Sequence, residues 1–176
     1  MKTMLTLRTL TVLVLLAGPS APARAQEPVV GSADPESLFT SKDPKLNASK
    51  QVALHIMRDL LEAGHWSEAP KYLTERYLQH NPGIPSSRAS VMKAFSGRPE
   101  RPIPGPKGWR TKVVSVVAEG DLVVVGVVRE LPDPRKAGAT YTTTWFDMFR
   151  IVDGKIVEHW DSATKGPGPT RAPAKA

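Results

Sequence analysis

The run Trp145-Phe-Asp-Met-Phe-Arg-Ile-Val-Asp-Gly-Lys-Ile-Val-Glu-His-Trp-Asp161 reads as two strands joined at Asp153-Gly154. That dipeptide tolerates the positive φ angles of a tight hairpin. With Asp153, Gly154 and Lys155 as a three-residue loop, Val152 faces Ile156 and Arg150 faces Glu158, a favourable pair of opposite charges across the ladder. The same register sets Phe149 opposite His159 and Asp147 opposite Asp161. Side chains alternate along a strand, so Trp145, Asp147, Phe149, Ile151, Val157, His159 and Asp161 then share one face. An Asp–His–Asp group on an apolar face has the make-up of a catalytic pocket floor. A two-residue loop would instead shift the pairing and take His159 off the face of Phe149.

Working outward, the ends of the chain differ from its middle. Residues 1–25 carry the marks of a secretory signal peptide: Lys2 and Arg8 at the start, an apolar stretch from Leu10 to Ala17, a break at Gly18-Pro19, and the small-x-small site Ala23-Arg24-Ala25. Cleavage is expected after Ala25, placing the protein in the periplasm or outside the cell. The apolar stretch is far shorter than the roughly 20 residues of a membrane span, so no stable membrane insertion is expected. The chain has no cysteine, which excludes both a lipid anchor on cysteine and a disulfide framework. Residues 26–45 read as a flexible segment, and residues 165–176, rich in Gly, Pro, Lys and Ala, as a disordered tail.

The formal charge of +7 falls to +4 once Lys2, Arg8 and Arg24 leave with the signal, with 21 basic residues against 17 acidic ones. No basic run of five exists and no aromatics are interleaved with a basic patch, so no nucleic-acid partner is expected.

The remaining stretch, 46–164, suits one domain. An apolar stripe of Val52, Ala53, Ile56, Met57, Leu60 and Leu61 predicts a helix over 49–63, capped by Asn47 or Ser49 and ended by Gly64. A short helix over 67–73 and a strand over 75–80 follow. A third helix, capped by Ser86 or Ser87, runs to Phe95. Four prolines between Gly97 and Trp109 exclude regular structure. Strands are expected over 111–119, 122–130, 139–152 and 155–163. Helices first and a meander after predict an α+β domain.

This order of elements resembles the nuclear transport factor two-like superfamily, a cone-shaped fold. Two motifs, Tyr77-Leu-Gln-His-Asn-Pro82 and Phe146 to Asp161, look like its SnoaL-like polyketide cyclase branch, over about residues 48–163. The resemblance implies a curved antiparallel sheet with N-terminal helices packed on its concave face and a cavity between them. It also implies proton abstraction next to a carbonyl by a late-strand carboxylate, followed by aldol-type closure or isomerisation, with no metal and no organic cofactor. The carboxylate that fits is Asp161, and the motif histidine, His80, is expected to face the cavity beside it. Relatives often carry a histidine on the strand matching Leu122–Glu130, where this chain has Gly126 and none. The fold also commonly pairs into homodimers through its outer sheet face, where Val123–Val128 offers β-branched surface.

Asp161 on an apolar wall suits a general base; the plainer role is a strand-end Asp bonded to backbone amides. His80 either donates to a substrate oxygen or holds the Asn81-Pro82 turn. Asp147 and His159 are secondary candidates, each with a structural alternative. Trp145, Phe149 and Tyr77 are expected to line the cavity. The partner implied is a small apolar or carbonyl-containing molecule. The competing function is a periplasmic binding module on the same fold, without catalysis.

Overall fold

The computed structural model describes residues 26–166. The signal peptide and the tail beyond Gly166 lie outside the described residues. Five strands form one sheet: β1 (Leu73–Gln79), β2 (Val113–Glu119), β3 (Leu122–Pro132), β4 (Thr140–Val152) and β5 (Lys155–Asp161), in the order β1-β5-β4-β3-β2. Strands β2 to β5 are an antiparallel meander, as the turn residues require. The short strand β1 corrects the all-antiparallel expectation: it lies parallel to β5.

Three helices cover the sheet: α1 (Pro44–His55), α2 (Ala69–Tyr72) and α3 (Arg88–Phe95). The first begins five residues earlier than its apolar stripe suggests. Asp43 accepts from the Leu46 amide at 2.9 Å, and Pro44 occupies the first turn, where its missing N–H costs nothing. Asn47 is not the cap; its side chain accepts from the Ser41 amide. After His55 the helix widens into a π-helical stretch, Ile56–Glu62, so the buried set runs through Ile56, Met57 and Leu60 and also takes in Asp59. Buried Asp59 is satisfied by His55 Nδ1 at 2.8 Å and Arg58 Nε at 2.7 Å. Ser87 caps α3 by accepting from the Ser90 amide.

The core forms where these helices meet β2–β5. Phe39, Leu60, Val113, Val123, Val125 and Ile156 are fully buried. Phe39 lies in the segment expected to be flexible. That segment is part of the fold: Ser32 donates to the Val113 carbonyl, a 3-10 turn spans Glu36–Phe39, and the Phe39 ring packs on Trp109. Local composition hid this, because a single aromatic among polar residues carries no periodicity.

The proline-rich loop is pinned at both ends to the end of the π-helical stretch Ile56–Glu62. Gly64 has a φ of +84°, and a Cβ there would meet the Pro99 carbonyl oxygen at 2.8 Å, so glycine is required. The Arg101 amide donates to the Ala63 carbonyl. At the far end the Glu62 carboxylate accepts from Arg110 Nε and from the backbone amides of Arg110 and Thr111. Burial pushes Glu62 up, but hydrogen bonds from Thr111 and Arg110 outweigh it and hold the carboxyl below its ordinary 4.5.

Two outcomes follow from this packing. Phe39→Ala should cost about 3–5 kcal/mol in urea denaturation, as a buried aromatic truncation does; a neutral effect would mean that 26–45 is not part of the folded unit. A carboxyl lowered on folding stabilises above its unfolded pKa and loses that contribution as pH falls through its folded pKa. Glu62→Gln should therefore lower the melting temperature at neutral pH and flatten its decline below the ordinary carboxylate value of 4.5.

Candidate functional site

The site is built where β5 meets its two neighbours. The hairpin turn has two residues, with Asp153 at φ +49° and Gly154 at φ +72°, so Val152 pairs with Lys155. By itself that turn would move His159 off the face of Phe149. A bulge at Val157 restores the register: Ile151 pairs with Ile156, then Arg150 with Glu158, Phe149 with His159 and Asp147 with Asp161. The inward position near the turn is therefore Ile156, fully buried, in place of the expected Val157.

His159 is 6% exposed. Its Nδ1 lies 2.7 Å from Gln79 Oε1 and its Nε2 lies 3.1 Å from Asp147 Oδ1. Trp145 Nε1 donates to the same Asp147 oxygen at 3.2 Å. Across the ladder, Asp161 accepts from Asn81 Nδ2 at 2.6 Å and from the Ala163 amide at 2.9 Å. The Phe149 and Tyr77 rings both stack with the imidazole, at 5.1 Å and 6.4 Å between centroids. Burial, with smaller contributions from Asp147 and Asp161, pushes the Tyr77 hydroxyl far up against the opposing hydrogen bond with Gln79, so it stays protonated.

Asp161, Asp147, His159, Trp145, Phe149 and Tyr77 are thus brought together. His80 is not. Its Nε2 bonds Glu158 Oε1 at 2.8 Å, and its ring stacks on Trp160 at 5.0 Å. These lie on the other face of β5, with Arg150 bridging Glu158 and Asp121. The expectation that His80 faces the cavity beside Asp161 is corrected by the parallel register, which sets Gln79 level with His159 and the His80 amide on the His159 carbonyl. Alternation then turns Gln79 and Asn81 inward and His80 outward. Gln79 and Asn81 are the functional candidates that the sequence reasoning missed. The signal was present in the Gln-His-Asn order, but reading it needs the face of the strand.

Gly126 also faces outward, where a Cβ would meet Ser115 Oγ at 2.9 Å. The β3 positions opposite Asp147 and Trp145 are Val125 and Val127, so valines border the polar group there.

Donor atoms of Asp147, His159 and Asp161 lie within 4.8 Å of one another, close enough for a cation. Their hydrogen bonds, however, already engage His159 Nε2, Asp147 Oδ1 and both Asp161 oxygens, and the group reads as a satisfied polar network. Two clefts open elsewhere. One of about 490 Å³ is lined by Trp66, Met92, Phe95 and Arg98 among others, with Trp66 and Phe95 stacked at 4.4 Å. The other, about 270 Å³, lies under the proline-rich loop. Neither is lined by Asp147, His159 or Asp161.

The SnoaL-like domain family matches residues 55–159. The chain belongs to that family. The match of this SnoaL-like domain runs from the end of α1 to His159. Among solved structures, the domain is similar to a protein from Acidithiobacillus ferrooxidans assigned to the polyketide cyclases, at 16% identity over 69% of this chain and 89% of that one, with a TM-score of 0.48. A Bacillus cereus protein of the same assignment is 16% identical over 77% and 84%, with a TM-score of 0.49. A SnoaL-like protein of that assignment from Jannaschia sp. is 18% identical over 70% and 91%, with a TM-score of 0.48. No curated protein matches the sequence. Among the described residues, no helix is long and apolar enough to cross a membrane.

Proposed function

We propose that this SnoaL-like domain carries out cofactor-free acid/base chemistry on a small carbonyl compound, of the aldol-cyclisation or isomerisation type, with Asp161 as the general base. The observation that carries it is the position of the Asp161 carboxylate: inner face of the sheet, opposite Asp147, beside a buried histidine and stacked aromatics. A carboxylate there takes a proton from a carbon next to a carbonyl, and the electron pair moves to the carbonyl oxygen. The leader-like residues 1–25 would place this reaction in the periplasm or outside the cell.

A second reading, a small-molecule binding module, is favoured by the aromatic cleft at Trp66 and Phe95, which none of the three polar residues lines. Exchange of the α-protons of acetophenone in D2O, followed by proton NMR, separates the two. Catalysed exchange above the buffer rate is expected, and Asp161→Asn should cut that excess by about 100-fold or more with little change in melting temperature. Undiminished exchange in the mutant would overturn the base assignment.

We also propose a homodimer through the outer face. The register aligns Val117, Val124, Met148 and Trp160 in one apolar row across four strands, and Val117 and Phe146 are 63% and 48% exposed. Light scattering at micromolar concentration should give about twice the chain mass, and Val117→Glu should halve it. A monomer at that concentration would end the proposal.

A further inference from the structure

The hydrogen-bond pattern around His159 fixes more than its orientation. Gln79 Oε1 accepts from the Asn81 backbone amide at 2.9 Å. A backbone N–H only donates, so the atom it meets is the amide oxygen. The same oxygen lies 2.7 Å from His159 Nδ1, so Nδ1 must carry a hydrogen. The other nitrogen, Nε2, then faces Asp147 Oδ1 at 3.1 Å. A bare nitrogen against a bare carboxylate would oppose two lone pairs at a buried site, which costs the desolvation of both. One proton must lie on that line, either as imidazolium with carboxylate or as neutral imidazole with a protonated Asp147. The groups facing the pair are Trp145, which donates to Asp147, the Tyr77 hydroxyl, and Asp161 across the ladder.

We propose that Asp147 and His159 hold one proton between them, fixed in place by Gln79, and that this pair is the general acid that complements Asp161. The two carboxylates are thereby given different tasks. Asp161 accepts from Asn81 and the Ala163 amide and is ready to take a proton. Asp147, linked to His159, is ready to give one. The step balances without any other reagent. Asp161 takes the proton from the α-carbon as the C–H bond breaks, and the electron pair moves to the carbonyl oxygen. The proton of the pair moves to that oxygen, giving a neutral enol. With a β,γ-unsaturated ketone the enol is a dienol: as its O–H returns its proton to the pair and the carbonyl re-forms, the electron pair of the β,γ double bond takes the proton of Asp161 at the γ-carbon, and the double bond moves into conjugation. The isomerised ketone leaves, and the site is as it began. Gln79 is a positioning residue: it sets the tautomer that makes His159 Nε2 the nitrogen shared with Asp147.

The acid role rests on the function proposed above; the placement of the proton does not, and it can be measured without substrate. Long-range proton–nitrogen spectra of the 15N-labelled full chain at pH 7 read the protonation of each ring nitrogen, with the His159 signals identified by their loss in His159→Gln. A protonated Nδ1 is expected in the wild type and in Gln79→Glu, whose carboxylate accepts in the same place. In Gln79→Leu the Nδ1 signal should move toward the unprotonated range. An unprotonated Nδ1 in the wild type, or an unchanged ring in Gln79→Leu, would overturn the placement. In the acetophenone exchange assay, Asp147→Asn should lower the catalysed excess by about 10- to 100-fold. An unchanged excess would remove the acid role and leave Asp161 as base. Absence of any catalysed exchange in the wild type would remove both roles, with the proton placement still decided by the spectra.

Discussion

Strand β5 hydrogen-bonds β4 on one side and β1 on the other, and everything at the polar centre depends on those two registers being held at once. Along a strand, a slip of one residue turns every side chain to the opposite face. Without the bulge at Val157, the two-residue turn at Asp153-Gly154 would send His159 and Asp161 outward and bring Glu158 and Trp160 into the core. The bulge reconciles a turn that local backbone chemistry favours with a register that burial requires. Ile151 and Ile156, paired and buried beside it, supply the apolar contact that holds it.

The parallel addition of β1 completes the site. A buried imidazole needs a partner for each nitrogen, and a buried carboxylate needs donors, since an unmet polar group costs roughly 1–3 kcal/mol. The hairpin supplies only half of these: Asp147 for one nitrogen, Trp145 for one oxygen. Gln79 and Asn81, brought in beside β5 by the parallel register, supply the other nitrogen and one Asp161 oxygen, and the Ala163 amide just past β5 supplies the second Asp161 oxygen. The alternate residue His80 is used on the outer face, where it joins Glu158, Arg150 and Trp160. One short motif thus serves both faces of the sheet.

The elements that the sequence shows well are those whose periodicity is local. The hairpin, the strands of the meander, the capped third helix and the stop at Gly64 all follow from alternation, turn residues and caps within a few positions of one another. The pairs Arg150–Glu158, Phe149–His159 and Asp147–Asp161 were expected from a three-residue loop; the structure reaches them with a two-residue turn and a bulge at Val157. The start of α1 was not, because Asp43-Pro44 precedes the apolar stripe by two turns and has no apolar face of its own. The segment 26–45 was read as flexible because the packing value of Phe39 lies in a distant partner, Trp109. His80 was placed on the wrong face because the short run Leu73–Gln79 gives no sign of which strand it will join or in which direction.

The sequence alone determined the fold class, the family, and the carriage of two carboxylates and a histidine on one face of a hairpin. It could do so because period-two alternation and the opposite charges of Arg150 and Glu158 are properties of the chain itself, although the bulge that realises that register is not. The tertiary structure decided which histidine meets the carboxylates, which polar residues orient it, and that the N-terminal segment belongs to the core. The first two depend on a parallel pairing between residues about eighty positions apart, and the third on contacts of Ser32 and Phe39 with Val113 and Trp109; no local pattern encodes such distant contacts.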